Sequence, residues 1–269
     1  DRISAADFQK FYEKLIQMPV DQIEDRFGVN QEYAHLLIPA AIIYKQILEM
    51  TGAEMLWVPG IRMCDGIAAD YAEKQKYLKF THNFDDDILS ASRNMAKRYR
   101  CNTSHGQKIE NYALQIFDAM KKFHGLGTRE RLLLRIASIL HDCGKFISLR
   151  DSSACAYNII MATEIIGLSH AEREIVAEVV RCNLDAFRYG EGSIRAGKLT
   201  AMLRLANAMD RSHHGRLDDG KLQVKGNKLI ISTSYAGNLA LETMAVEDKA
   251  DFFEEMFGIR PEIRQKRRV

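Results

Sequence analysis

A mainly helical fold, with an α/β segment ahead of it and a small α+β tail behind it, is predicted by three features of the sequence. Proline is absent between Gly60 and Arg260, which permits long unbroken helices. Apolar residues recur at helical spacing from about Asp86 to Arg211. Strand-like runs are short and confined to the two ends of the chain. The 269 residues, 46% hydrophobic and 28% charged, suffice for a real core and exclude a disulfide miniprotein, a collagen-like fibre and a disordered chain.

Residues 1–75 form the first part. Ser4 caps an amphipathic helix over 4–18, with Phe8, Phe11, Tyr12, Leu15 and Ile16 at helical spacing. A second helix runs from Gln31 to Met50, and Thr51-Gly52 ends it. Met55-Leu56-Trp57-Val58 reads as a short buried strand stopped by Pro59-Gly60, and a third helix follows from Asp65 toward Lys76. One strand cannot make a sheet, so this part reads as the end of an α/β domain.

Residues 76–215 read as a bundle of about six helices. Ser104 with Gln107 suggests a capping box for a helix over 105–121, whose face carries Ile109, Tyr112, Ala113, Ile116, Phe117 and Met120. Thr128-Arg129-Glu130 opens the next helix, rich in Leu132, Leu133, Leu134, Ile136, Ile139 and Leu140 and stopped by Gly144. Further helices cover about 153–166, 169–181 and 194–210. Residues 216–269 read as a small α+β piece. Leu222 and Val224, then Leu229 and Ile231, flank Lys225-Gly226-Asn227-Lys228 as a hairpin, and Leu239-Ala240-Leu241 adds a strand. A helix through Val246, Ala250, Phe253 and Phe257 ends at Gly258. Arg260, Arg264, Lys266, Arg267 and Arg268, against Glu262 alone, read as a solvated basic tail, with a polyanion contact as the sharper alternative.

Lys plus Arg is 38 and Asp plus Glu is 36, a net charge of +2 that does not suit a dedicated nucleic-acid binder. The five cysteines are odd in number and lack CxxC spacing, which argues against a disulfide framework or a cysteine zinc site and for a reducing cytoplasm. The apolar run from Tyr33 to Tyr44 is broken by Pro39 and falls short of the ~20 residues that span a bilayer, so no membrane partner is expected. No signal peptide is visible. The chain opens on Asp1-Arg2-Ile3, which suits a fragment or a processed product.

The residues with most chemistry are His141-Asp142-Cys143-Gly144-Lys145, a polar cluster closing a very apolar helix. A His beside an Asp in buried surroundings needs a partner or a metal. Imidazole nitrogen and carboxylate oxygen suit a divalent transition metal. His105 shares an apolar helix face with Ile109, Tyr112 and Ile116, and Asp210 closes a helix that passes through Leu203, Ala206 and Asn207. His, then His-Asp, then a late Asp is the order of an HD-type metal phosphohydrolase site. In such a site Lys145 is the catalytic cation that meets phosphate oxygens. The metal set is therefore His105, His141, Asp142 and Asp210 or Asn207, with Mn²⁺, Fe²⁺, Co²⁺ or Zn²⁺ suiting it better than Mg²⁺. His213-His214 reads as a solvated turn beside Gly215, and His35, His82, His124 and His170 as satisfied core or surface histidines. No P-loop, GxGxxG, GxSxG or HExxH is present.

Three stretches resemble the C-terminal portion of the exopolyphosphatase and guanosine pentaphosphate phosphohydrolase (Ppx/GppA) family. The first is Leu36-Leu37-Ile38-Pro39-Ala40-Ala41-Ile42-Ile43 with Trp57-Val58 and Gly60-Ile61-Arg62-Met63-Cys64-Asp65-Gly66. The second is Leu140-His141-Asp142-Cys143-Gly144-Lys145-Phe146-Ile147, with Ala156-Tyr157-Asn158-Ile159-Ile160 and Gly167-Leu168-Ser169. The third is Leu203-Arg204-Leu205-Ala206-Asn207-Ala208-Met209-Asp210-Arg211-Ser212-His213. The resemblance implies that residues 1–75 end an actin-like, ribonuclease-H-type phosphatase domain. It implies an HD-like all-helical domain over 76–215 and a small α+β domain over 216–269. It further implies a cytoplasmic hydrolase of phosphoanhydrides, with polyphosphate or guanosine pentaphosphate as substrate and Mg²⁺ in the parent phosphatase domain.

The sequence departs from the HD pattern at Ala206-Asn207, where relatives carry Ala-Asp, and Asp210 one turn later shares that helix face. Histidines expected near Arg150-Asp151-Ser152-Ser153 and near Asn183 are also absent. Two other readings therefore stand beside the enzyme. One is a metal-free HD-like module that holds a polyanion or a second copy in a homodimer; the other is an independent HD-type phosphohydrolase.

Overall fold

The computed structural model describes residues 1–79, 82–187 and 193–265. They fall into two compact units, Asp1–Thr81 and His82–Val269. The first holds β1 (Arg2–Ser4), α1 (Ala5–Leu15), α2 (Val20–Phe27), α3 (Gln31–Thr51), β2 (Met55–Trp57) and α4 (Met63–Lys74). Ser4 caps α1 as expected, its hydroxyl accepting from the Asp7 N–H at 3.0 Å. The expected strand finds its partner at the other end of the unit, with Arg2 opposite Trp57 in an antiparallel pair, but it is not buried: Met55 and Trp57 are exposed because the two-stranded pair is covered by little else in this unit. Phe8, Leu15, Ile23, Ala34, Ala41 and Leu48 make a small core. Much of α3 stays uncovered: Tyr33, Leu36, Ile43 and Met50 are exposed, as are Trp57 and Met63.

The second unit holds α5 (Phe84–Arg98), α6 (Thr103–Ala119), the single turn α7 (Lys121–His124), α8 (Thr128–Leu140) and a 3-10 turn over Cys143–Phe146. It continues with α9 (Ser152–Ala162), α10 (His170–Arg181), α11 (Ile194–Met209), β3 (Lys221–Lys225), β4 (Lys228–Thr233), α12 (Ala240–Phe257) and β5 (Arg260–Gln265). Helix α11 buries most of its residues, among them Leu199, Met202, Leu203, Leu205, Ala206 and Met209, and leaves Arg195, Lys198, Arg204 and Asn207 at its margins; such a helix belongs at the centre. It packs on α6, α8, α10 and α12. Leu217, Leu229, Ile231, Val246 and Phe253 from the C-terminal segment join the same core.

Several local expectations are corrected. Asn102, not Ser104, caps α6, its side-chain oxygen accepting from the His105 N–H at 3.2 Å. Leu239-Ala240-Leu241 opens α12 instead of forming a strand: the Asn238 side chain accepts from the Ala240 N–H at 2.8 Å and starts the helix. Three apolar residues in a row do not distinguish the two. The third strand is β5, parallel to β4, with Leu229 opposite Pro261 and Ile231 opposite Ile263. Pro261 is tolerated because β5 is the sheet edge. Arg260 and Arg264 are thus strand residues, paired with Asp251 and Glu254 and with Glu262. Lys266, Arg267 and Arg268 lie outside the described residues.

The starts of α8 and α10 are tied by a two-pronged ion pair. Arg129 Nε donates to Glu172 Oε1 at 2.6 Å and Nη2 to Oε2 at 3.0 Å, and Nη2 also reaches the Gly167 carbonyl at 2.6 Å. The Arg129 bond is the main reason that the Glu172 carboxyl is held at about 2, against an ordinary 4.5. Its contribution is therefore complete above the unfolded value and fades as pH falls from about 4.5 toward 2. Glu172→Gln should lower unfolding free energy near neutral pH by about 1 kcal/mol, the pair being partly exposed. In urea titrations that deficit should shrink as pH drops through this window; a pH-independent deficit would contradict the assignment.

The turn after α8 admits no side chain at its glycine. A Cβ on Gly144 would stand 1.8 Å from the Ser152 carbonyl oxygen and 2.6 Å from the Ala156 nitrogen, both backbone atoms of α9. Gly144→Ala must push α9 away and should destabilise by about 1–3 kcal/mol. Gly106 in α6 faces open space, and Gly106→Ala should be neutral or stabilising by up to about 1 kcal/mol. Equal unfolding midpoints for the two variants would show the α9 contact to be softer than described.

Candidate metal centre

The His141-Asp142 pair sits where α8 gives way to the 3-10 turn. His141 is the C-terminal cap of α8, and its Nδ1–H donates to the Ser138 carbonyl one turn back, at 2.7 Å. That bond leaves Nε2 as the free nitrogen. The ring is buried, and Nε2 has no hydrogen-bond partner. Burial pushes the His141 pKa down in spite of the nearby Asp142 carboxylate, so the ring is neutral and Nε2 carries a lone pair. An unpaired acceptor of this kind is expensive to bury, and a cation satisfies it.

His105, in the first turn of α6, meets the pair from across the bundle, its ring centroid 5.2 Å from that of His141. His105 Nδ1–H donates to Asp210 Oδ2 at 2.8 Å, and both side chains are buried. The other Asp210 oxygen accepts from the Gly215 N–H at 2.8 Å. Burial opposes the charge on Asp210, but the His105 and Gly215 bonds and the Lys108 ammonium outweigh it, and its carboxyl stays below the usual range. Gly215 can make this bond because its φ is +63°, and a Cβ there would strike Asp218 and Lys108.

Asp142 completes a trio with the two histidines. One potential ligand atom from each of His105, His141 and Asp142 lies within 4.8 Å of the others. Ligands around one small cation stand roughly 3–4 Å apart at metal–ligand distances near 2.1 Å, so the group is close to the spacing that an ion needs. Lys145, the expected cation, donates from Nζ to Asp142 Oδ1 at 2.7 Å. Burial raises the Asp142 carboxyl, but His141 and Lys145 outweigh it and keep it ionised.

Of the predicted set, the structure thus brings His105, His141, Asp142 and Lys145 together. Asp210 stands behind His105 as a hydrogen-bond partner, an arrangement that fixes the tautomer and orientation of the ring. Asn207, part-buried on the last turn of α11, makes no hydrogen bond to any of these groups among the described residues. His213, read as part of a solvated turn, stacks its ring on His105 at 3.8 Å between centroids, with its backbone at φ +60°. His213 remains exposed, as a solvated turn implies, and adjacency alone could not show that its ring stacks on His105. Ser138, which selects the free nitrogen of His141, carried no signal beyond its place three residues earlier. His124 behaves as expected of a core histidine: Nε2–H donates to the Phe117 carbonyl and Nδ1 accepts from the Leu126 N–H, leaving nothing free.

Residues 89–247 match the family model described as Ppx/GppA phosphatase, domain III. The chain is also similar to a guanosine-5'-triphosphate,3'-diphosphate pyrophosphatase of Photobacterium profundum, 22% identical over 243 residues, which are 88% of this chain and 46% of that protein. The chain therefore spans about half the length of the curated relative that it matches. The resemblance seen in the His141-Asp142 and Asn207-Asp210 stretches falls inside the matched region, and the chain belongs to the Ppx/GppA phosphatase family of phosphohydrolases.

Proposed function

We propose that this chain is the C-terminal part of a phosphoanhydride hydrolase, and that its helical unit carries a divalent-metal site built from His105, His141 and Asp142. The observation that supports the metal most is the buried, unpartnered Nε2 of His141 beside a second histidine and a carboxylate. Two nitrogens and one carboxylate oxygen favour Mn²⁺, Fe²⁺, Co²⁺ or Zn²⁺ over Mg²⁺. Three protein ligands leave positions for water and phosphate. A metal held there polarises phosphate oxygens and lowers the pKa of bound water. The chain's own residues orient the site: Ser138 and Asp210 fix the two rings, and Lys145 offers a cation to phosphate oxygens once it leaves Asp142.

The activity that names the Photobacterium relative supports guanosine pentaphosphate as one substrate, and the family resemblance adds polyphosphate. The exposed apolar face of α3 fits residues 1–75 as the end of a larger actin-like domain, where Mg²⁺ serves the parent phosphatase. Among the described residues no helix is long and apolar enough to cross a membrane. The five free cysteines suit a reducing compartment such as the cytoplasm.

A second reading draws on Lys145. Its ammonium at 2.7 Å already neutralises Asp142, as an internal substitute for metal would, and Asn207 supplies no charge. On that reading the unit is a metal-free scaffold for a polyanion or a dimer partner. Equilibration of the chain with Mn²⁺, followed by metal analysis, separates the two. The parent should take up Mn²⁺, His141→Ala should bind it at least about tenfold more weakly, and Asn207→Asp more tightly. Equal uptake by parent and His141→Ala would overturn the metal site, and no uptake by any variant would favour the scaffold.

A further inference from the structure

The end of α5 carries an arginine where the backbone asks for glycine. The Cys101 N–H donates to the Ala96 carbonyl at 2.9 Å and the Arg100 N–H to the Lys97 carbonyl at 3.1 Å. Together these bonds form a Schellman closure, in which the residue after the cap is left-handed. That residue is Arg100, at φ +49°. Gly28, Gly52, Gly125 and Gly258 hold the left-handed position at other helix ends of this chain, and Lys76, at φ +62°, holds it at the end of α4 in the same closure. A side chain there is a local disadvantage, and at Arg100 the side chain reaches a cleft.

The Arg100 guanidinium lies 6.0 Å from the ring centroid of Phe146, in the 3-10 turn that follows His141-Asp142. Arg100 is exposed and has no ion pair or side-chain hydrogen bond among the described residues. With Tyr99, Asp142, Lys145 and Phe146 it lines a cavity of about 210 Å³. This is room for a phosphate group or two, and it opens beside the carboxylate of the trio. At Cys101 and Asn102 it adjoins a second cavity of about 420 Å³ that can take more of a ligand. Lys145 neutralises Asp142. The Cys101 thiol, pushed up to about 11 chiefly by burial, is uncharged. Arg100 therefore leaves the cavity lining with an excess positive charge, and Asn102 in the same lining caps the positive end of α6.

We propose that Arg100 is a substrate-binding residue, which with Lys145 holds a phosphate group of an oligophosphate chain against the His105–His141–Asp142 site. The proposal rests on the reading of that site as a phosphohydrolase centre. The ligand chemistry is a run of phosphoanhydride-linked phosphates, inorganic or carried on a nucleoside. A guanidinium fork suits adjacent phosphate oxygens in a way that an ammonium does not.

Arg100→Gly separates use from structure, because it restores the residue that the backbone favours while removing the charge. Binding of inorganic tripolyphosphate to the full chain, freed of metal by chelator, is measured by calorimetry alongside the melting temperature. Arg100→Gly should melt no lower than the parent yet bind tripolyphosphate about tenfold more weakly, with Arg100→Lys in between. Unchanged binding in Arg100→Gly, or a lowered melting temperature, would overturn the proposal. GTP serves as the second ligand: affinity above that of tripolyphosphate, lost equally in Arg100→Gly, assigns the adjoining cavity to a nucleoside, and affinity no higher assigns the cleft to phosphate alone. Because metal is excluded, a chain that never binds Mn²⁺ but needs Arg100 for tripolyphosphate refutes the metal site and supports this inference. Mn²⁺ uptake with no Arg100 effect does the reverse.

Discussion

The hydrogen bond from the His141 Nδ1–H to the Ser138 carbonyl decides what the helical unit can do. It consumes one nitrogen of a buried ring and leaves the other unpaired in the interior. Had Nε2 been paired as well, the site would hold a satisfied core histidine like His124, both of whose nitrogens are used. The α8 C-terminus makes the chosen geometry available, because carbonyls in the last turn of a helix lack helical partners.

The remaining parts act by holding groups against this nitrogen. Asp210, clamped between His105 and the Gly215 N–H, fixes the second ring, and His213 covers it on one face. The close approach of Gly144 to the backbone of α9 holds the turn that carries Asp142 and Lys145. Since α6, α8 and α11 all pack together in one core, His105, the His141-Asp142 pair and Asp210 are placed by rigid elements, as a precise site requires. At the α5 terminus Arg100 takes the left-handed backbone and its side chain lines the cavity beside Asp142.

The helical architecture was legible because its signals are local and periodic. His105 could be assigned to the site from its shared face with Ile109, Tyr112 and Ile116, and His141-Asp142 from a polar cluster ending an apolar helix. Three kinds of feature were not legible. The pairing of Arg2–Ser4 with Met55–Trp57 joins segments far apart in sequence, and helix α2 is only eight residues long and buries only Ile23, although Val20, Ile23 and Phe27 recur at helical spacing. The role of Asp210 depends on which of its atoms meets which neighbour, and helical spacing gives only a shared face. The left-handed backbone at Arg100 and His213 is set by chain closure, and neither residue type announces it.

The central claim is that His105 and His141 both present Nε2 as a lone pair to one ion. Long-range ¹H–¹⁵N correlation spectra of the ¹⁵N-labelled chain near neutral pH read the tautomers directly, before and after addition of Zn²⁺. The account predicts Nδ1-protonated rings for both residues, with both Nε2 resonances moved by the metal. An Nε2-protonated His141, or two rings that Zn²⁺ leaves unmoved, would contradict it.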